Sequence, residues 1–335
     1  MTSAPCCTRR LVVVADLHIV VVGGSGFVGS GICEALERRG VRAVAVHAPR
    51  LTIPAGEDRD LVVRAAADGL RPRFAGAAAV VNAAGISDAS SSDEAGLDAA
   101  NALVPMVIAM ACAAENTRFV QVSSAAVQGR RARLDDCDQT SPLTPYASSK
   151  AKGERLARQH HPSAVVYRPP GVHGPGRSVT RSLARLATGP LSSVAAPGEA
   201  SAPQALVEDV ADAVAFLALH PSAPPPVVHH PASGLTTASL LRLLGDGHEP
   251  RLVPRRLAHA ILRLAQAAGR VSPAAAAQAR RLEVLWCGQE QSASWLSEQG
   301  WRASTTEEDW RRLGRLARHP NPPSPGLPLA QRKSS

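Results

Sequence analysis

Through the first half of the chain, short runs of branched apolar residues alternate with longer stretches in which apolar positions recur every three or four residues. Ile19 to Val22, Val41 to Val46, Ala78 to Val81, Phe119 to Val122 and Ala164 to Tyr167 are short enough, and rich enough in valine, to read as strands. Val28 to Arg39 (closed by Gly40), a stretch around Asn101 to Glu115, and Pro145 to His160 carry the helical period. Strands alternating with helices predict βαβ units and a parallel sheet, hence an α/β fold. Leu51 to Val63 holds no clean strand pattern, so a third strand is poorly marked there.

From about Gly171 the texture changes to short helical patterns between loops that contain proline and glycine. Val207 begins an amphipathic helix, Pro221 to Pro226 is a proline-rich break, Thr236 to Leu244 is a further helix, and Thr305 to Leu313 closes the patterned region. Residues 316–335 are rich in proline and polar residues, a composition that predicts a disordered tail.

Composition narrows the class without naming it. With 45% hydrophobic and 19% charged residues, the 335-residue chain is an ordinary globule that can bury a sizeable core. The apolar runs Leu11 to Ala15 and Ile19 to Val22 are split by Asp16 and His18 and fall short of the ~20 residues a spanning helix needs. A cytoplasmic protein without a membrane partner is therefore expected. The net charge of +9 is carried by arginine, and Arg251, Arg255, Arg256, Arg263, Arg280 and Arg281 cluster in the last third, where they could face an anionic substrate or an acidic carrier protein. Aromatic residues make up only 3%, which leaves little to stack bases, and no nucleic-acid partner is expected. The six cysteines show no metal-ligand spacing, so no metal is expected, and Cys33 and Cys112 fall in helical apolar patterns as buried thiols.

Candidate chemistry lies at three places. Gly23-x-x-Gly26-x-x-Gly29 follows a strand and opens a helix, the context in which small residues let the backbone approach a pyrophosphate over free N–H groups. Phe119 to Val122 is a strand ending in Ser123-Ser124. Tyr146 and Lys150 then stand four positions apart in a chain with only two tyrosines and three lysines. That spacing puts both on one helix face, and a phenol needs a neighbouring cation to exchange protons near neutral pH. The second strand ends Val46-His47-Ala48-Pro49-Arg50 with no acid for a ribose diol, and His47 and Arg50 favour NADP over NAD, which remains possible.

Taken in order, Val-Gly-Gly-Ser-Gly-Phe-Val-Gly at Val22 to Gly29, the strand ending at Ser124, and Tyr146-x-x-x-Lys150 resemble the extended short-chain dehydrogenase/reductases, the epimerase/dehydratase-like branch, over roughly residues 18–315. The resemblance implies a Rossmann-type doubly wound parallel sheet with a small C-terminal substrate-binding lobe. It divides the chain into an N-terminal extension (1–17), an NAD(P)-binding domain (18–170) and a mainly substrate-binding region (171–315) that returns some segments to the first domain. It implies that Ser124 bonds the substrate oxygen, Tyr146 exchanges a proton with it, and Lys150 bonds the nicotinamide ribose and lowers the tyrosine pKa. Asn101 would hold a proton-relay water. Gly23, Ser25, Gly26, Phe27, Val28, Gly29, His47, Arg50, Ala83, Ala84, Gly85, Val122, Pro169, Gly171 and Val172 would contact the cofactor together with Tyr146 and Lys150. The implied partner is a small molecule, with a homodimer possible.

Departures from the family pattern bear on the substrate. Sugar-nucleotide dehydratases carry an Asp-Glu pair after the catalytic serine or threonine, where this chain has Ala125-Ala126. In Arg168-Pro169-Pro170-Gly171-Val172-His173-Gly174-Pro175, glycine stands for an asparagine that commonly contacts the substrate diphosphate, and Gln128 and His173 replace two common tyrosines. As a lone histidine, His173 is read first as structural and second as a pocket residue. The expected reaction is reversible hydride transfer between a nicotinamide and the carbonyl or secondary alcohol carbon of a non-nucleotide compound, such as an intermediate of secondary metabolism. An NAD-dependent epimerase and a non-catalytic nucleotide sensor are the rival readings.

Overall fold

The computed structural model describes residues 17–53, 56–87, 91 and 93–318; residues 1–16 of the expected extension, with Cys6 and Cys7, and residues 319–335 lie outside the described residues. Six parallel strands form the central sheet: β1 (His18–Val22), β2 (Arg42–Val46), β3 (Ala79–Asn82), β4 (Arg118–Val122), β5 (Val165–Arg168) and β6 (Val227–His229). Their spatial order is β6-β5-β4-β3-β1-β2, with Val20 paired to both Val44 and Val80. The direction of winding reverses between β1 and β3, and the loops after those two strands therefore open a crevice at the carboxyl edge of the sheet.

The valine runs are legible as strands buried on both faces. Ile19, Val21, Val81, Val120 and Tyr167 face α1 (Phe27–Arg38) and a later helix returning from the second half of the chain. Val20, Val22, Val80 and Phe119 face α2 (Arg59–Phe74) and α3 (Val104–Ala114), and α4 (Pro145–His160) packs against α3 on that same side. The returning helix, Val207–Leu219, lies so close to α1 that a methyl group on Gly31 would stand 3.2 Å from the Ala211 Cβ.

No third strand forms among the described residues of the poorly marked region. Asp58 caps the start of α2 by accepting from the Asp60 N–H (2.8 Å), and the segment becomes a helix. The stretch expected from Asn101 starts earlier, at Glu94, because Asp93 accepts from the Gly96 N–H (2.9 Å) and a π-turn over Ala99–Leu103 joins Glu94–Asp98 to α3. By length and mean hydropathy (1.7) Glu94–Ala114 could cross a bilayer; 67% buried, it serves as a core helix between α2 and α4.

The second half adds α5 (Ser178–Thr188), α6 (the returning Val207–Leu219), α7 (Thr237–Leu244), α8 (Arg255–Ala268), α9 (Pro273–Cys287) and α10 (Glu307–Arg318). Leu240, Leu244, Trp310 and Leu313 form a separate core there. Helix α10 continues through Arg318, three residues into the segment expected as a disordered tail, since Trp310, Leu313 and Ala317 keep a buried stripe in helical register. A two-stranded parallel pair, Arg133–Leu134 with Glu290–Gln291, ties the halves, and another, Gly171–His173 with Gln204–Leu206, forms within the second.

Candidate active site

The glycine loop is built for close backbone approach. Gly23 has φ +79° and donates to the Val46 carbonyl (2.8 Å), which ties the loop to the end of β2. A Cβ on Gly29 would lie 2.0 Å from the Gly23 oxygen, so no other residue fits there. Gly26 caps α1 without any side-chain hydrogen bond and the first turn holds no acid, so the free N–H groups and the helix dipole face outward where Ser25 and Gly26 are exposed. These features fit a dinucleotide pyrophosphate. His47 and Arg50 stand exposed just past β2, beside this loop.

After β3, Ala83 donates to the Val22 carbonyl (2.9 Å) and Ala84 to the Asn82 side chain (3.0 Å), holding Gly85 across the crevice. Gly85 (φ +146°) is hemmed by Asn101 Oδ1 and Lys150 Nζ, which would lie 2.5 and 3.0 Å from a Cβ placed there. Thr144 caps α4 and Pro145 opens it, setting Tyr146 and Lys150 on its inward face. The buried Lys150 ammonium reaches the Val122 carbonyl (3.4 Å). Ser124 accepts from the Ala126 N–H (3.2 Å) at the start of a 3₁₀ turn whose first N–H bonds the Pro169 carbonyl (2.8 Å), so Val122, Ser124 and Pro169 border one site. Val172 is half-buried next to the exposed Gly171.

Burial pushes the Tyr146 phenol above its ordinary pKa, while the hydrogen bond with Ser124 and the charge of Arg177 pull it back. Burial also lowers Lys150 to about 8, with the carboxylate of Glu154 opposing. As pH rises through that value the free protein loses a positive charge beside Gly85. In a protein with three lysines this is directly observable: by NMR of lysine-labelled protein, one side-chain signal should titrate near pH 8 and disappear from that window in Lys150→Met. Titration of all three above pH 10 would refute the buried placement.

The Asn101 amide bonds protein partners: Oδ1 accepts from the Ile86 N–H (3.0 Å), and Nδ2 donates to the Ile86 carbonyl (3.0 Å) and Ser149 (3.1 Å). It therefore splints the Gly85–Ile86 turn to α4. Its backbone carbonyl faces Gly153, where a Cβ would lie 2.0 Å from the oxygen.

Several contributors were not singled out in the sequence. Glu154, one turn beyond Lys150, receives two bonds from the fully buried Arg168 (Nε 3.0 Å, Nη2 2.6 Å) and one from Ser123 (2.5 Å). Arg168 also donates to the Cys137 carbonyl (2.6 Å), bracing the loop after the 3₁₀ turn. The spacing 146, 150, 154 on one face was the available signal. Arg177 lies 4.7 Å over the Phe27 ring and donates to Ser87 (3.4 Å), bridging the glycine loop and the Gly85 turn; nothing in its local sequence announces this.

The residues at the family departures are mostly structural. His173 is buried between Thr180 (3.2 Å) and Gln204 (2.8 Å), and burial holds its pKa down to about 4. Gln128 is buried on Asp135 (2.8 Å). At Gly171 a Cβ would sit 1.9 Å from Gln204 Oε1, so the Gln204 amide fills the space that a side chain at 171 would enter.

A family model described as the NAD dependent epimerase/dehydratase family matches residues 19–229. A ceramide reductase of Caulobacter vibrioides is 30% identical over 179 residues, 50% of each chain, and a dTDP-4-dehydrorhamnose reductase of Mycolicibacterium smegmatis is 29% identical over 187 residues, 54% of each. The chain thus spans about half the length of the curated relatives it matches. A UDP-glucose 4-epimerase of Thermus thermophilus in complex with NAD shares the fold at TM-score 0.59 and 20% identity, over 90% of this chain and 99% of that one.

Proposed function

The chain belongs to the NAD dependent epimerase/dehydratase family, and from that premise we propose that it is an NADP(H)-linked oxidoreductase acting on the carbonyl or secondary alcohol of a small molecule. What carries the reading is the meeting of Ser124, Tyr146 and Lys150 at the same crevice as the Gly23–Gly29 loop. When bound, the nicotinamide supplies or accepts the hydride. In the reducing direction Tyr146 gives its phenolic proton to the substrate oxygen, and in the oxidising direction it takes that proton from the hydroxyl. Ser124 donates a hydrogen bond to the same oxygen. Lys150 holds its positive charge beside Gly85, where the nicotinamide ribose would lie, and Arg177 adds a second cation near the phenol.

The absence of an acid between Val46 and Ile53, with His47 and Arg50 in its place, supports NADP. NADPH should bind more tightly than NADH in titrations followed by intrinsic fluorescence; a tenfold preference for NADH, about 1.4 kcal/mol, would reverse the assignment.

Ala125 and Ala126 offer no acid or base for eliminating water, and Gly171 has ceded its space to Gln204. Both support a non-nucleotide substrate, an intermediate of secondary metabolism met in the cytoplasm, bound between the sheet edge and the C-terminal lobe. Assays of UDP-, dTDP- and GDP-sugars beside a panel of ketones test this reading, and efficient turnover of any sugar nucleotide would end it.

A further inference from the structure

Between Glu249 and Glu283 the chain contains seven arginines and no acidic residue. In the fold this stretch forms the strand Arg251–Val253, α8 and most of α9. Arg280 is engaged, by Glu283 (3.2 Å) and the Gly129 carbonyl (2.8 Å). Arg251, Arg255, Arg256, Arg263, Arg270 and Arg281 are exposed, and none forms an ion pair with a described residue.

The same surface exposes large apolar side chains. Helix α8 buries Ala258 and Leu262 against Trp286 and Leu282 of α9, yet it leaves Leu257 52% and Leu264 72% exposed. Leu257 and Leu264 are seven residues apart and so share a face to within about 20°, as Arg256 and Arg263 do beside them. Leu252 at 56% precedes the helix in the chain and Val271 at 87% follows it. Leu191, 76% exposed, lies two residues ahead of the strand paired with Arg251–Val253.

We propose that this face of the C-terminal lobe docks on an anionic lipid bilayer, with Leu257, Leu264 and Val271 entering the headgroup boundary and the flanking arginines pairing with lipid phosphates. An amphipathic helix with a basic flank lies in such an interface without spanning it. The expectation of no membrane partner rested on spanning segments alone, and this mode requires none. A second copy of the chain is a poor occupant, since unpaired arginines would meet arginines. An acidic protein would satisfy the charge and leave the leucines unexplained.

The surface is also joined to the proposed site. Arg130 pairs with Glu283 of α9 (3.0 Å), and Gln289 donates to the Gly129 and Arg131 carbonyls (3.2 and 2.6 Å), directly beyond the 3₁₀ turn that Ser124 opens. The docking inference stands whether or not the reaction proposed above is right.

The test is co-sedimentation of the full chain with mixed phosphatidylcholine and phosphatidylglycerol vesicles, against phosphatidylcholine alone. Binding is expected to the anionic vesicles only, and to fall with added salt. The double variant Arg256→Gln/Arg263→Gln should weaken it by about thirtyfold, and Leu257→Gln/Leu264→Gln by at least about tenfold. All four side chains are exposed, so unchanged thermal melts will confirm folding. Failure to sediment with anionic vesicles, equal binding to phosphatidylcholine alone, or indifference to the leucine pair would overturn the proposal. So would capture by an acidic carrier protein in the absence of vesicle binding.

Discussion

Replacing Tyr146 with phenylalanine is expected to lower kcat by roughly 10²–10⁴, the range in which a positioned acid or base contributes, while leaving the affinity for NADPH nearly unchanged. The phenol stands beside Ser124, and its replacement by a phenyl ring deletes one hydroxyl and no other atom. Ser124→Ala should cost less, since a neutral hydrogen bond to the substrate oxygen is worth about 0.5–1.5 kcal/mol. The measurement is steady-state turnover on the substrate found in the screen, with the nucleotide Kd determined separately. Wild-type turnover in Tyr146→Phe would remove the proposed proton transfer.

That the expectation can be framed at all reflects where local sequence and tertiary structure agree. Helix α4 was legible to the residue because its start is set by chemistry within the chain segment itself: Thr144 caps, Pro145 opens, and the helical period follows. The glycine loop was legible for the same reason, since Gly29 faces a backbone oxygen contributed six residues earlier. The helix that replaces any strand in the poorly marked 51–63 region and the early start at Glu94 turned on aspartate caps, Asp58 and Asp93, that outweighed weak periodicity around them. Contacts between distant segments left almost no trace. Gln204 filling the space at Gly171, Arg177 crossing to Phe27, and Asn101 spending its amide on Ile86 each require the fold before they have meaning.

The buried pair behind the site should prove the most sensitive to truncation. Glu154→Ala leaves the Arg168 guanidinium, 0% exposed, without its two-point partner, and removing one member of a buried pair typically costs about 3–5 kcal/mol. Equilibrium denaturation measures this. The double variant Glu154→Leu/Arg168→Met should be less damaged than Glu154→Ala, because it buries no unpaired charge, though it still loses the Arg168 tether to the Cys137 carbonyl. A loss of under about 1 kcal/mol in Glu154→Ala would mean that water reaches Arg168 after all. A neutral replacement at Glu154 carries a second signal with a defined sign. The Glu154 carboxylate favours the charged form of Lys150 and opposes its descent to about 8, so Glu154→Gln should move the Lys150 titration lower still. Lys150 would then lose its proton nearer neutrality, and turnover on the alkaline side should decline from a lower pH than in the parent protein. A fall in stability with no movement of the lysine signal would make Glu154 a structural partner of Arg168 alone.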